Sequence, residues 1–235
     1  NLMPTIYANV GTMRNSGFEA EFHVAAVKHK DFTYDIDLIL ETNQNEFVSF
    51  SNGRYKGRGY DDAAQLGLGD FGLSTPVQRL EEGKRIGSFY MHSYAGIDEE
   101  GRWLVWNKDF SKKLYTNEAT DDDRHYVGNG LPKFRLSMTH TFHYKGWDLS
   151  ASFRGAFGFD VFQTNEYAMG LRNAAKGYNV YRSAYSKYAD ITEGLGKPTD
   201  FWLTKGDYLK LDVLTLGYSH DLSKSRFFRG FRVYC

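Results

Sequence analysis

The chain has 235 residues, and 29 Lys+Arg balance 29 Asp+Glu, so the formal net charge is zero. That balance gives no electrostatic reason to expect nucleic acid and argues against a charged disordered tail. One Cys, at the last position, excludes an internal disulfide, and no stretch nears the roughly 18 consecutive apolar residues of a transmembrane helix. A membrane β-barrel stays open, because its strands alternate lipid-facing and lumen-facing residues and so keep a soluble-looking mean hydropathy.

The first clear element alternates with period two. Phe18, Ala20, Phe22, Val24 and Ala26 interleave with Glu19, Glu21 and His23. A basic turn, Lys28-His29-Lys30-Asp31, leads to Phe32, Tyr34, Ile36, Leu38 and Leu40, interleaved with Thr33, Asp35, Asp37, Ile39 and Glu41. Two such runs across a tight turn predict a hairpin with one apolar and one charged face. A polar, Gly-bearing stretch follows over 44–84, then a further strand is expected over 85–95 and another polar stretch over 97–130. Strands over 131–144 and 147–160 are predicted around Lys145-Gly146, with Phe134 to Tyr144 and Trp147 to Phe159 as their apolar rows. The third polar stretch, 161–206, carries an expected helix near Glu166–Tyr188. The strand over 207–221 changes parity between Val213 and Leu214, which reads as a β-bulge or as a strand buried on both faces. A short turn then leads to a last strand near Phe228–Tyr234. Its unpaired edge would be an aggregation liability, so further chain is expected beyond it.

Runs above ten residues exceed the usual five or six of soluble strands and match the 9–11 of a tilted membrane strand. Long polar stretches alternate with short turns, as in outer-membrane barrels with long extracellular loops and short periplasmic turns. Phe32, Tyr34, Phe142, Tyr144 and Trp147 gather beside the short turns, where an interfacial aromatic girdle would sit.

Other motifs carry less. Gly67-Leu68-Gly69-Asp70-Phe71-Gly72 matches GxGxxG and contains a DFG triplet, but lacks the flanking strand and helix of a dinucleotide site and the catalytic loop of a kinase. Asp121-Asp122-Asp123 lacks EF-hand spacing and reads as a solvated loop, and the histidines show no paired metal spacing. His140 is unusual on an apolar row. Glu19/Glu21 and Asp35/Asp37 have the same-face spacing of an acid–base pair, yet on a barrel they would line a wet lumen. No metal or other cofactor is expected.

Six segments, in order, resemble one family. Asn9-Val10-Gly11 to Asn15-Ser16-Gly17-Phe18-Glu19 is similar to the N-x-G-x-x-x-N-x-G-x-E segment of SusC/RagA-type TonB-dependent outer-membrane transporters. Glu82-Gly83-Lys84-Arg85-Ile86-Gly87-Ser88-Phe89-Tyr90 resembles the family's EG-x-P-I-G-S-F-Y, with Arg85 at the Pro position. Asp123-Arg124 to Pro132-Lys133-Phe134 resembles D-R-x-x-I-G-N-x-x-P-K-F, and Tyr144-Lys145-Gly146-Trp147-Asp148-Leu149-Ser150 resembles Y-K-x-x-D-L-S. Arg154-Gly155 to Phe162 and Lys205-Gly206-Asp207-Tyr208-Leu209-Lys210-Leu211 to Tyr218 complete the series. The stretch Gly101–Asp109 lacks the family's D-x-N-G-D-G repeat in clean form.

The resemblance implies an all-β fold: a transmembrane antiparallel β-barrel segment, about eight strands of a 22-stranded barrel. All of 1–235 would belong to the C-terminal barrel domain, with the plug domain elsewhere. It implies a non-enzymatic role, active import of an oligosaccharide or peptide across the outer membrane of a Bacteroidetes-like Gram-negative cell. Implied partners are TonB–ExbB–ExbD, a SusD-like surface lipoprotein, membrane lipid and lipopolysaccharide. Arg154 and Asp160, with the loop aromatics Tyr178, Tyr181 and Trp202, are the expected ligand contacts. A passive porin-like or structural barrel, and a secreted soluble β-sandwich lectin or glycosidase, are the alternatives.

Overall fold

A computed structural model describes residues 11–65, 75–173, 179–224 and 226–235. In chain order the strands are β1 (Thr12–Lys28), β2 (Phe32–Ser49), β3 (Tyr60–Gln65), β4 (Pro76–Glu81), β5 (Lys84–Arg85), β6 (Ser88–His92), β7 (Tyr94–Ile97) and β8 (Trp103–Trp106). They continue as β9 (Lys113–Tyr115), β10 (Arg124–Asn129), β11 (Phe134–Tyr144), β12 (Trp147–Phe157), β13 (Asp160–Phe162), β14 (Leu203–Lys205), β15 (Tyr208–Asp221) and β16 (Gly230–Tyr234). The one α-helix among the described residues is α1 (Thr164–Met169).

The chain divides into two compact units. One is built from Ser16–Gln44, Pro132–Gly158 and Gly206–Cys235. Its strands run in the order β1-β2-β11-β12-β15-β16; the two-residue β5, which pairs with Glu46 and Phe47 at the far end of β2, belongs with those residues to the other unit. The pairing is antiparallel and in register across the wall: Leu38 stands opposite Met138, Met138 opposite Phe153 and Phe153 opposite Leu211. Alternation therefore sums across strands into one apolar and one polar face. The bulge falls at Asp212, since Val213 pairs with Ser152 and Leu211 with Phe153. The extra residue keeps Leu209 and Leu211 on the same face as Leu214 and Leu216 and turns Val213 to the polar side, which corrects its place in the expected apolar row.

The other unit comprises Asn1–Asn15, Asn45–Leu131 and Phe159–Lys205. It holds a four-stranded sheet, β10-β6-β4-β3, a three-stranded sheet, β7-β8-β9, and the pair β13-β14. The buried apolar cluster lies here, around Met91, Trp103, Tyr167, Leu171, Tyr188 and Trp202. Two expectations are revised. The strand expected over 85–95 is not a wall strand, because Ser88–His92 pairs with β4 and β10 and Tyr94–Ile97 with β8. The helix expected near Glu166–Tyr188 is one and a half turns of α1 and a separate 3-10 turn at Arg182–Tyr185. Gly170 caps α1 by donating its N–H to the Glu166 carbonyl, 2.7 Å away. Gly101 stands at φ +79° with the Asp190 carbonyl 2.2 Å from where a Cβ would lie, so only glycine lets these two loop segments meet.

Candidate functional site

The wall is a two-sided surface, and each side has its own chemistry. Its apolar side leaves Phe22, Val24, Leu209, Leu211, Leu214 and Val233 largely exposed. An uncovered apolar face of this extent marks contact with a membrane or partner. Aromatic residues stand at both ends of this side, with Phe153 opposite Met138 at mid-height. At the short-turn end Tyr144 stands opposite both Phe32 and Trp147. Tyr34 stacks on Phe142 at 4.3 Å and Trp147 packs on Tyr218 at 4.8 Å. At the other end Phe134 stacks on Phe157 at 4.8 Å. The steps from Phe134 to Tyr144 along β11, at about 3.3 Å each and a tilt of about 40°, cover roughly 25 Å, the height of a barrel's apolar band between its girdles. His140 is accommodated on this side, its Nδ1 2.7 Å from the Tyr34 hydroxyl and its ring edge-on to Phe153.

The polar side is laced with charge pairs. Arg135 reaches Glu41 at 3.1 Å, Arg154 reaches Asp212 at 3.2 Å, Lys210 reaches the same carboxylate at 2.8 Å, and Arg232 reaches Asp148 at 2.6 Å. His23 contacts Asp37 at 2.7 Å, and Thr139 and Ser152 share a hydrogen bond of 3.0 Å. Each pair is exposed and adds little stability. Together they make the surface hydrophilic while leaving no net patch of one sign at β11 and β12.

The long connections, from Ser49 to Phe134 and from Phe157 to Tyr208, leave one edge of the wall, and the short turns leave the other. These connections are not plain loops. Within the four-stranded sheet the Arg79 guanidinium lies between the Tyr60 and Tyr90 rings, at 4.0 and 3.9 Å, and donates to Asp62 at 2.8 Å. Arg124, almost fully buried, donates to the carbonyls of Tyr90 and Pro76 at 2.7 and 3.0 Å. Burial opposes ionisation of Asp62, but the Arg79 hydrogen bond and the Arg124, Arg79 and Arg58 charges outweigh it and hold its carboxyl below the ordinary range. Tyr126 donates to Glu81 at 2.5 Å, and burial together with that carboxylate pushes the phenol well up. Burial also raises the Asp200 carboxyl, which accepts the Tyr94 N–H at 2.7 Å. The sequence does not show this arrangement: Asp62 meets Arg79 and Arg124 from 17 and 62 positions away, and the motif segments that hold Tyr90, Arg124 and Tyr126 do not indicate which residues they meet.

The expected ligand contacts separate. Arg154 lies on the polar side of β12, bound to Asp212. Asp160 belongs to the other unit, where it accepts the Asn129 N–H at 3.1 Å and pairs with Lys205 at 2.7 Å. Tyr181 is 40% exposed, whereas Trp202 is 2% exposed and packs on Tyr167, Trp103 and Tyr188. Its indole is occupied by the core. Tyr178 and the Gly67–Gly72 stretch lie outside the described residues. Asp123 is a loop staple, accepting from Thr120 and Lys108 N–H groups at 2.8 and 2.9 Å. Among the described residues no cluster of His, Cys, Asp and Glu is arranged to hold a metal ion, and no helix is long and apolar enough to cross a membrane, which says nothing of a β-barrel.

No family model matches the chain. Among curated proteins it is 23% identical over 227 residues to TonB-dependent receptor P3 of Formosa agariphila, covering 90% of this chain and 22% of that one. It is 23% identical over 235 residues to TonB-dependent receptor SusC of Bacteroides thetaiotaomicron, covering 96% of this chain and 23% of that one. Among solved structures it superposes on the RagAB peptide importer in its closed-closed state with a TM-score of 0.75 and 21% identity, over 97% of this chain and 26% of that one. It superposes on the RagAB peptide transporter with a TM-score of 0.72 and the same identity. The chain thus spans about a quarter of the length of the relatives it matches. The two-sided wall, the ordered motifs and both comparisons agree that the chain resembles SusC/RagA-type TonB-dependent outer-membrane transporters, over a length consistent with a C-terminal portion of the barrel.

Proposed function

We propose that this chain forms part of the C-terminal barrel wall of a TonB-dependent importer in a Gram-negative outer membrane, and that the whole protein takes up a bulky oligosaccharide or peptide. The single observation that supports this most is the wall itself: long in-register strands, one apolar side banded by aromatics, one side of paired charges, and long connections from one edge only. On this reading the plug lies elsewhere in the protein, TonB–ExbB–ExbD supplies energy, and a SusD-like lipoprotein covers the long-connection side. The relatives are receptors and transporters, which supports a non-enzymatic role. Arg154, Asp160, Tyr178 and Tyr181 remain the candidate cargo contacts, while Trp202 contributes through packing.

The test is uptake of labelled oligosaccharides and peptides by cells carrying the full-length protein, with TonB active or deleted. Uptake that stops without TonB, and a surface lipoprotein that co-purifies, are expected. Uptake that persists without TonB would move the assignment to a passive porin-like barrel.

A further inference from the structure

The three short connections of the wall share a feature that the polar face lacks. They carry Lys28, Lys30, Lys145, Lys224, Arg226 and Arg229, all exposed. None of these six forms an ion pair among the described residues, whereas Arg135, Arg154, Lys210 and Arg232 on the polar face are each matched to a carboxylate. The acids beside them are Asp31 and Asp221, and the Asp221 carboxylate is turned to the Ser223 N–H at 2.8 Å. The connections are tied into one rim. Lys145 donates its N–H to the Asp31 carbonyl at 3.0 Å, and Ser219 to the Gly146 carbonyl at 2.7 Å. Leu222 donates to the Arg229 carbonyl at 2.9 Å, closing the β15–β16 connection.

That connection also exposes two adjacent phenyl rings, Phe227 at 84% and Phe228 at 69%. They follow Arg226 and precede Arg229 in the chain. The rim adjoins the Trp147–Tyr218 aromatic pair, and an open cleft of about 690 Å³ runs along it, lined by Lys145, His220, Arg229 and Phe231 among others. Cations without an ion pair, one of them over the Tyr144 ring at 5.2 Å, together with exposed phenyls in the connection that follows Tyr218, fit a molecule with an anionic head and an apolar tail. A free phosphate would leave the phenyls in water, and an acidic protein segment would match the cations but not the two exposed phenyls between them.

We propose that this short-turn rim is a docking surface for the phosphate headgroups of anionic phospholipid in the adjoining leaflet, with Phe227 and Phe228 entering the acyl region as an anchor that fixes the depth of the wall. This rests on the membrane reading given above. The test uses the full-length protein extracted from outer membranes in mild detergent, stripped of lipid, and offered phosphatidylglycerol or phosphatidylcholine before native mass spectrometry. The unaltered protein is expected to retain phosphatidylglycerol about tenfold more than phosphatidylcholine, as a few screened cation–headgroup contacts would give. The variant Lys224→Glu/Arg226→Glu/Arg229→Glu is expected to lose that preference while keeping the heat-modifiable mobility of an assembled barrel. Equal retention of both lipids by the unaltered protein overturns the proposal, and so does an unchanged preference in the assembled variant. Capture of an acidic periplasmic protein in place of lipid overturns it in favour of a protein dock. Should the variant not assemble, the comparison of the two lipids on the unaltered protein still decides. Failure of the full-length protein to fractionate with outer membranes would appear before any lipid is added. That result would sink the wall reading and this proposal with it.

Discussion

Trp103 and Phe22 are both large aromatics on β-strands, yet the first is 2% exposed and the second 50%. The difference separates the two units. Around Trp103 the chain folds a core of its own: the indole packs on Phe201 and Trp202, its backbone N–H meets Glu193 at 2.7 Å and its Nε1 meets the Gly194 carbonyl at 3.0 Å. Around Phe22 the sheet turns apolar side chains outward and satisfies only its backbone internally. The first arrangement suits water, where burial drives folding. The second suits hydrocarbon, where strand pairing is obligatory and apolar side chains need no cover.

The largest expected effect breaks the first unit and spares the second. Trp103→Ala should cost the connection-built unit about 3–5 kcal/mol through lost packing. In assembled full-length protein, protease added from the long-connection side should then cut within 97–131 or 159–205, while the strands of the wall stay protected. Next, Leu38→Arg, at mid-height of the apolar face opposite Met138, should cost about 2–4 kcal/mol of insertion, as should Phe22→Arg. Ser152→Arg, on the polar face, should assemble like the unaltered protein. Equal outer-membrane yields for all three would contradict the assignment of the two faces.

A pH test sharpens the comparison further. His92, in the connection-built unit, is nearly buried, and burial holds its imidazole below the ordinary 6.5, outweighing the Thr120 carbonyl at 2.9 Å. A histidine whose folded value is lowered contributes stability that is present above 6.5 and lost as pH falls below it towards the folded value. Protease sensitivity of that unit should therefore rise as the medium is acidified below 6.5, and His92→Gln should flatten the response. The smallest effect is expected from deleting Asp212. Removing the bulged residue leaves Leu211 and Leu214 on their face and takes away only the exposed pairs with Arg154 and Lys210, so barrel yield should change by less than about 1 kcal/mol. A collapse in yield would mean that the bulge shapes the wall.

Much of the wall is legible in the sequence. The interleaving of Phe18 to Ala26 and of Phe134 to Tyr144 located its faces, and Lys28–Asp31 and Lys145-Gly146 located its turns. The connection-built unit was not readable in the same way. Trp202 reads in the sequence as a loop aromatic open to a ligand, and nothing there joins Asp62, Arg79 and Arg124 to one another. Their roles depend on partners such as Tyr90, reached only after several changes of direction.

The amino-acid sequence by itself determined that the wall strands exceed ten residues, the face of nearly every wall residue, the alternation of short and long connections, and the family resemblance. These follow from a two-residue period that each segment carries locally and that a membrane, as a uniform apolar solvent, leaves unmodified. Only the tertiary structure decided that the polar stretches enclose the one large core seen among the described residues. It also moved 88–97 out of the wall, set the bulge at Asp212 rather than one residue later, buried Trp202, and left the cations of the short-turn rim without an ion pair among the described residues. Each of these depends on which distant segment arrives opposite, and register and burial between segments far apart in the chain are fixed by packing rather than by local pattern.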